Sequence, residues 1–224
     1  MAASQEPENL KERLKAGYDS IAPAYNAWTV KHSTMRHAYL DRLLASLPKL
    51  SAADGKPTYL ELGCGSGDPF LKTLLSRCPN LVAHANELSD AQLSLAREQL
   101  SEYTSRVTFH PGDMTKLTFD EGSFSAVAGL YSIIHLPPGE QVALVKQIYG
   151  WLEPGGVLVA NFAAEKDDGK VMEKWLGEGG WMYWSGLGVE GTVKTLEDVG
   201  FKVERQVVEE EGDDERFLWV IARK

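Results

Sequence analysis

The sequence predicts an α/β protein with a single Rossmann-like, seven-stranded, mostly parallel sheet, an antiparallel C-terminal hairpin and helices on both faces. Three observations predict this class. Apolar, strand-like runs alternate with amphipathic, helix-like segments from residue 58 onward, the connections between them are short, and polar residues gather where the strands end. Alternation of this kind favours a parallel sheet that is covered on both faces. We predict an N-terminal helical segment over residues 1–50 and the Rossmann-like domain over 51–224, together forming one structural domain.

The N-terminal segment is predicted to be helical from Leu10 to Leu47 and broken near Pro23. After the first strand, Thr58 to Leu62, a helix is predicted with Asp68 as its N-cap and Pro69 at its first position. A capping box, Ser89 to Gln92, opens the next helix. Further strands are predicted at 81–86, 106–110, 125–132, 157–162, 201–210 and 216–223, and further helices at 140–152 and 191–199.

Composition narrows the possible partners. The chain has 224 residues, of which 43% are hydrophobic and 25% charged, and its formal net charge is −9. This acidic balance argues against a broad nucleic-acid surface. No apolar run approaches the ~20 residues that span a bilayer, and the N-terminus lacks a signal pattern, so we expect no membrane partner and a cytoplasmic location. Residues 1–8 are expected to be disordered, and the acidic run Glu209 to Glu215 is expected to be a solvated hairpin tip.

Cysteine and histidine usage indicates neither a disulfide nor a metal site. The two cysteines, Cys64 and Cys78, lie in different predicted elements, and a reducing compartment is the plain interpretation. The five histidines are scattered, and no His/Cys cluster has metal-ligand spacing. We therefore expect no metal.

The stretch "YLELGCGSGD", Tyr59 to Asp68, is the strongest local signal. Its glycines, Gly63, Gly65 and Gly67, form G-x-G-x-G, whereas a dinucleotide fingerprint needs G-x-G-x-x-G and a P-loop needs G-K-[ST]. The flanking carboxylates of Glu61 and Asp68 disfavour a phosphate and favour a ligand with a cationic end and a ribose. Open α/β sheets bind ligands beyond the carboxyl ends of their strands, where Glu87, Asp113 and the segment from Tyr131 to His135 are also predicted to lie.

From Tyr18 to Ala222 the chain resembles the class I S-adenosylmethionine-dependent methyltransferases, in particular small-molecule members of the methyltransferase-domain type. "YLELGCGSG" resembles the first motif of that family, "GDMTKLTF" the adenine segment, "FSAVAGLYSIIHLP" the fourth-strand motif, "WLEPGGVLVANF" the element after it, and "YDSIAPAYNAW" the N-terminal lid. Two departures stand out: Ser125 replaces a common Asp, and strand two ends in "NELS" where "VDxS" is common.

The resemblance implies S-adenosylmethionine as cofactor, S-adenosylhomocysteine as product, and a set of cofactor-binding residues. Within that set, Glu87 is placed on the ribose hydroxyls, and Asp113 and Met114 bracket the adenine. The implied set is Tyr18, Tyr25, Glu61, Gly63, Cys64, Gly65, Gly67, Glu87, Leu88, Gln92, Asp113, Met114 and Tyr131. Simpler roles remain open at this stage: a tight turn for the glycines, a solvated acid for Glu87 and a turn residue after Gly112 for Asp113. Packing remains open for Met114 and Tyr131, and helix packing for Tyr18 and Tyr25.

On the acceptor side, His135 is the candidate general base, because its ordinary pKa lies near neutrality; the alternative is a packed histidine. The aromatic stretch "GGWMYWSG", Gly179 to Gly186, suggests either a wall over the acceptor pocket or a small core that holds an irregular loop. A wall would suit a flat aromatic or heteroaromatic molecule. The predicted acceptor-binding residues are Trp28, His135, Phe162, Trp181, Tyr183 and Trp184.

The resulting functional hypothesis is metal-independent methyl transfer to an O, N or S atom of a small molecule, without nucleic-acid or membrane partners. Two other hypotheses stay open: a regulatory protein that binds the cofactor without methyl transfer, and a non-methylating enzyme on the same scaffold. The sequence does not indicate an oligomeric state.

Overall fold

The computed structural model describes residues 6–211 and 215–224. A seven-stranded sheet has the strand order β3-β2-β1-β4-β5-β9-β8, and β6 and β7 form a separate two-stranded sheet. The strands are β1 (Thr58–Leu62), β2 (Val82–Glu87), β3 (Val107–Pro111), β4 (Phe124–Gly129), β5 (Leu152–Ala163), β6 (Lys166–Glu173), β7 (Trp181–Leu187), β8 (Lys202–Glu211) and β9 (Glu215–Arg223). β9 runs antiparallel to β5 and β8, which confirms the predicted fold class.

Helices cover both faces of the large sheet. They are α1 (Leu10–Lys31), α2 (Thr34–Ser46), α3 (Phe70–Arg77), α4 (Asp90–Gln99), α5 (Pro138–Trp151) and α6 (Gly188–Val199). Side chains of β1 alternate between the two faces, as the pleat requires. Tyr59 packs in the core beneath α2, α3 and α4, whereas Leu60 and Leu62 pack in the core beneath α5 and α6. No helix of the described ranges is long and apolar enough to cross a bilayer.

The strand order reverses at β1, which pairs in parallel with both β2 and β4. Ligands of open α/β sheets bind at this reversal, beyond the carboxyl ends of the strands. A third apolar cluster lies apart from the two cores. It joins α1, through Leu10, Leu14 and Ile21, to Trp181 and Tyr183 of β7.

Several predicted boundaries were wrong. α1 continues through Pro23, and the break lies instead at residues 32–33. A proline inside a helix removes one hydrogen bond, but the buried contacts of Leu14 and Ile21 before Pro23, and of Thr29 after it, hold the helix together. α3 begins at Phe70 with Pro69 as its N-cap, and no side chain caps it, so Asp68 does not have the predicted role.

The predicted capping box is only half formed. The Ser89 hydroxyl accepts from the Gln92 N–H at 3.1 Å, but the Gln92 amide makes no hydrogen bond within the described residues. The aromatic stretch from Gly179 to Gly186 is not an irregular loop, since most of it forms β7, paired with the unpredicted strand β6. Of the acidic tip, residues 212–214 lie outside the described part of the chain, as do residues 1–5 of the predicted disordered terminus.

Candidate active site

The three loop glycines all have a left-handed backbone, but the space that would surround a Cβ differs among them. A Cβ at Gly63 (φ +71) would lie 2.5 Å from Ser132 Cβ, and a Cβ at Gly67 (φ +77) would lie 2.8 Å from Leu100 Cδ1. At Gly65 (φ +56) the nearest atoms, Gln92 Oε1 and Tyr25 Cε1, are 3.9 and 4.0 Å away. Gly63 and Gly67 therefore allow the loop to pack against its own protein, and Gly65 borders open space.

Glu87 ends β2 with its carboxylate beneath the glycine loop. Its Oε2 accepts from the Gly65 N–H at 2.8 Å, and its Oε1 accepts from the Ser89 N–H at 2.8 Å. Burial raises the pKa of this carboxyl, while hydrogen bonds from backbone N–H groups oppose the rise. A carboxylate has about four lone-pair sites in all, so the fixed carboxylate can still accept from a ligand.

Three adjoining cavities meet at this edge of the sheet. The inner cavity is lined by Lys11, Leu14, Tyr18, Tyr25, Gly63, Gly65, Glu87, Leu88, Gln92, Asp113, Met114, Leu130, Tyr131, Ser132, His135 and Leu136. The loop cavity is lined by Tyr25, Thr29, Arg36, Glu61, Gly63, Cys64, Gly65, Ser66, Gly67, Asp68, Pro69, Phe70 and Leu130. The aromatic cavity is lined by Tyr18, Tyr25, Trp28, Tyr131, Ile134, His135, Ala163, Lys170, Met172, Trp175, Trp184, Arg216 and Phe217.

All thirteen residues of the predicted cofactor set line the inner cavity, the loop cavity or both. Tyr25 lines all three cavities, so its ring stands where they join. In the inner cavity, the Asp113 carboxylate accepts from the Thr115 N–H at 2.9 Å and lies 3.6 Å from Lys11 Nζ. The buried Gln92 amide makes no hydrogen bond within the described residues, although buried amides normally have partners.

The loop cavity holds a buried cation that the sequence analysis missed. Arg36 is 5% exposed and forms no ion pair with any carboxylate of the described residues. Its guanidinium lies 4.1 Å from the Tyr131 ring centroid, and Nη1 donates to the His32 carbonyl at 3.1 Å. Glu61, on the same cavity, accepts from the Tyr59 hydroxyl at 3.0 Å, and burial raises the pKa of Glu61 to about 8.

Tyr131 lines both the inner cavity and the aromatic cavity, and its backbone is unusual. Its φ is 55°, in the left-handed region that non-glycine residues rarely adopt. Its N–H donates to Asn161 Oδ1 at 2.6 Å, which holds the turn against β5. The ring meets Phe217 edge-on at 5.1 Å and lies beneath Arg36.

His135 is buried, and both of its ring nitrogens have partners. Nδ1 lies 2.7 Å from the Tyr183 carbonyl oxygen, and because a carbonyl can only accept, Nδ1 carries the hydrogen. Nε2 therefore accepts from the Tyr18 hydroxyl at 2.8 Å. Burial lowers the pKa of His135 to about 4 and raises the pKa of Tyr18 well above its usual value, so the pair is neutral near pH 7.

The aromatic cavity has a volume of about 390 Å³ and contains three of the six predicted acceptor residues, Trp28, His135 and Trp184. Tyr25 stacks on Trp28 with the ring centroids 6.1 Å apart, and Trp175 meets Trp184 edge-on at 5.7 Å. Trp175 also lines this cavity but was not predicted, because no motif or spacing in the sequence distinguishes it.

The other three predicted acceptor residues do not line this cavity. Phe162 is buried in the core beneath α5 and α6. Trp181 packs under the Arg13 guanidinium, 4.0 Å from its ring centroid, and the Tyr183 hydroxyl donates to the Asp168 carbonyl at 3.2 Å. Alternate residues of a strand point to opposite faces, so Trp184 lies on the cavity side of β7 and its odd-numbered neighbours do not.

Within residues 6–211 and 215–224, no group of three or more His, Cys, Asp or Glu side chains is arranged to hold a metal ion. Metal independence remains a prediction.

Comparisons with known proteins agree with this geometry. Residues 60–156 match the model of a family described as a methyltransferase domain. The chain is 27% identical over 157 residues to 27-O-demethylrifamycin SV methyltransferase of Amycolatopsis mediterranei, covering 63% of this chain and 55% of that protein. It is 31% identical over 131 residues to carboxy-S-adenosyl-L-methionine synthase of Wolinella succinogenes, covering 57% of this chain and 51% of that protein. The chain therefore spans about half the length of these curated relatives.

Among solved structures, magnesium protoporphyrin IX methyltransferase from Synechocystis PCC 6803, with bound S-adenosylmethionine, superposes with a TM-score of 0.70 at 17% identity. The match covers 99% of this chain and 100% of that one. The sheet order and the cavities beyond β1, β2 and β4 define a Rossmann-like protein with a candidate ligand site at the strand ends. The domain match over residues 60–156 makes the chain similar to the class I S-adenosylmethionine-dependent methyltransferases, as its motifs predict.

Proposed function

We propose that this protein moves a methyl group from S-adenosylmethionine to an O, N or S atom of a small, flat aromatic molecule without a metal ion. The observation that carries the proposal is the meeting of three chemically different cavities at Tyr25. A nucleoside, an amino-acid end and a methyl acceptor need three such compartments around one reacting centre.

The residues present fit that cofactor in three respects. Among the described residues, the Gln92 amide is buried without a hydrogen bond and Arg36 is a buried cation without a contact ion pair, and Gly65 leaves room that a Cβ would fill. Unpaired buried polar groups are costly, so a ligand that satisfies them is bound favourably.

Each compartment receives a role under this proposal. Glu87 accepts from the ribose hydroxyls, and Asp113 and Met114 flank the adenine in the inner cavity. In the loop cavity, Arg36 pairs with the carboxylate of the methionine end. The Glu61 carboxyl, whose pKa is raised to about 8 by burial, accepts from the ammonium group, and that positive charge favours its ionised form. Bound S-adenosylmethionine supplies an electrophilic methyl group on a sulfonium, and aromatic faces such as that of Tyr25 suit this cation.

The rings of Trp28, Trp175 and Trp184 orient the acceptor and exclude water. A hydroxyl acceptor must also lose its proton. Tyr18 borders both the inner and the aromatic cavities, and its oxygen can accept from the acceptor while its hydrogen is donated to His135 Nε2. The proton then passes through Tyr18 to His135, whose Nδ1–H stays on the Tyr183 carbonyl.

The pKa of His135, lowered to about 4 by burial, is well below the near-neutral value on which its predicted base role depended, so His135 is a weak base and favours late proton transfer. A weak base leaves a phenol protonated in the ground state, so the proton departs as the new bond forms and the acidity of the reacting oxygen rises. Amine and thiol acceptors do not need this path.

We propose that α1 is the part of the 1–50 segment that opens to admit ligands. Its Asp19 Oδ1 accepts from the Ser89 hydroxyl at 2.6 Å and from the Ala91 N–H at 3.0 Å, beside the turn that holds Glu87. α2 contributes Tyr39, Leu40 and Leu43 to the main core, so its movement would disrupt the fold.

The test is incubation of the protein with S-adenosylmethionine and a panel of phenols, heteroaromatics, amines and thiols. Mass spectrometry then follows S-adenosylhomocysteine and any acceptor that gains one methyl group. Gly65→Val is the matched negative control, because it puts a side chain into the cofactor space, and its circular dichroism shows whether it folds. We expect product with the wild type only. Cofactor binding without any methylated product would contradict the proposal and favour a binding protein.

A further inference from the structure

The charged lining of the aromatic cavity has one sign. Besides the neutral His135, its ionisable lining includes the cations Lys170 and Arg216, and no described carboxylate lines it. The chain as a whole has 32 acidic and 23 basic residues. A cavity with cations at its edge in an acidic protein indicates a preference for anions.

The two cations stand beside the aromatic rings. Lys170 of β6 is the register partner of Trp184 of β7, so the two side chains share one face of the small sheet. Lys170 is exposed and forms no ion pair within the described residues. Arg216 of β9 precedes Phe217, which also lines the cavity, and its Nη1 lies 3.0 Å from Glu165 Oε1.

The cavity therefore has two chemically different ends. Its inner end contains Tyr18, Tyr25 and the buried His135, which it shares with the inner cavity. Its outer end contains Lys170, Met172 and Arg216, all exposed to solvent. A flat molecule between the rings would reach both ends, with its reacting atom inside and a second substituent at the cationic edge.

We infer that the acceptor is an aromatic carboxylate, whose ring occupies the aromatic cavity, whose nucleophile faces Tyr18, and whose carboxylate pairs with Lys170 and Arg216. This inference rests on the proposed methyl transfer and adds the chemical class of its substrate. Because both cations are partly hydrated, they contribute more to selection among acceptors and to their capture than to bare affinity.

The test uses a hydroxynaphthoate and the matching hydroxynaphthamide, which differ only in the charge of one substituent. Their binding is followed by quenching of tryptophan fluorescence with S-adenosylhomocysteine present. We expect wild type to bind the carboxylate more tightly than the amide, by about threefold to fivefold for each exposed cation engaged. The preference should shrink as the salt concentration rises.

Lys170→Gln and Arg216→Gln should each reduce the preference for the carboxylate without changing affinity for the amide. Lys166→Gln, at another exposed lysine of β6 that does not line the cavity, is the matched control. Equal binding of the two naphthalenes, no binding of either, or an equal loss in the Lys166 variant would overturn the inference. Normal binding of S-adenosylhomocysteine in those cases would leave the proposed function standing, whereas its failure to bind would contradict the function itself.

Discussion

The cofactor side and the acceptor side of this site are built from different parts of the chain. Beyond β1 and β2, Glu87 and the glycine loop hold one another through backbone hydrogen bonds. The aromatic cavity relies on side chains of α1, β6 and β7, such as Trp28 and Trp184, and opens to solvent at Lys170. A polar, backbone-fixed site suits one constant ligand, and an aromatic wall suits recognition by shape. Substitutions on the two sides should therefore have separable effects.

The largest expected effect concerns the proton path where the two sides meet. Tyr18→Phe keeps the ring but removes the hydroxyl that donates to His135 and, in the proposed path, accepts from the acceptor. Turnover of a phenolic acceptor should fall about 100-fold, the lower range for general base catalysis, while affinity for S-adenosylhomocysteine stays within about twofold. Single-turnover rates with saturating cofactor measure the first quantity and calorimetry the second. An unchanged rate would reduce Tyr18 and His135 to packing roles.

On the cofactor side, Arg36→Gln should weaken S-adenosylhomocysteine binding about 10- to 100-fold, the range for a lost charged hydrogen bond. Methylthioadenosine lacks the amino-acid end, so its affinity should not change and it serves as the internal control. Calorimetric titration of both ligands provides the comparison. Parallel losses for the two ligands would show a disturbed fold and remove Arg36 from the carboxylate role.

Glu87→Ala should weaken S-adenosylhomocysteine and methylthioadenosine together, by about 1–3 kcal/mol, because both carry the ribose. The same titrations test this result, with Glu98→Ala on the exposed side of α4 as a matched control. Retention of full affinity for both ligands in Glu87→Ala would exclude the ribose role.

The buried imidazole predicts a pH dependence of stability. The pKa of His135 is about 4 in the fold, below the ordinary value of 6.5, so the unfolded chain binds the proton first as pH falls. His135 therefore stabilises the fold fully above about pH 6.5, and this contribution is lost between about pH 6.5 and 4, by about 3 kcal/mol in all. Urea unfolding of wild type and His135→Gln across this range measures it. If the free energy of unfolding depended on pH equally in both proteins, the burial of the His135 ring would be contradicted.

The smallest effect is expected at the aromatic wall. Trp184→Leu should raise the KM for an aromatic acceptor roughly threefold to tenfold, since one ring contact contributes about 0.5–1.5 kcal/mol beyond its buried area. Cofactor affinity should not change, because Trp184 lines only the aromatic cavity among the three. Steady-state kinetics at saturating cofactor tests this, and a matching loss of cofactor affinity would break the separation of the two sides.

The difference between the cofactor side and the acceptor side also explains which site residues could be predicted from the sequence. Gly63, Glu87 and Asp113 follow strands that are recognisable from their own residues, and parallel strands bring their carboxyl ends together. Local pattern and topology were therefore enough to bring these three residues to one edge of the sheet. Arg36 was missed because it reaches the loop cavity from a helix that precedes the whole sheet, and a lone arginine in a polar helix carries no local signal.

The acceptor side depends on the pairing of β6 with β7, which the sequence of β6 does not predict. The sequence of β6, "KDDGKVME", has no apolar alternation and contains a central glycine. Its strand conformation is therefore stabilised by antiparallel pairing with β7 and not by its own residues. Without that strand, the facing directions of Trp181 and Trp184 could not be told apart. Phe162 was misplaced for a related reason, since the face it occupies on β5 is fixed by the register with β4 and β9.

The most direct test of the central claim is calorimetric titration of the wild-type protein with S-adenosylmethionine and with S-adenosylhomocysteine. The glycine loop, Glu87 and Arg36 together predict saturable, one-to-one binding of both ligands at micromolar concentrations, typical of a small-molecule site of this polarity (about −8 kcal/mol). A folded protein that binds neither ligand would contradict the account.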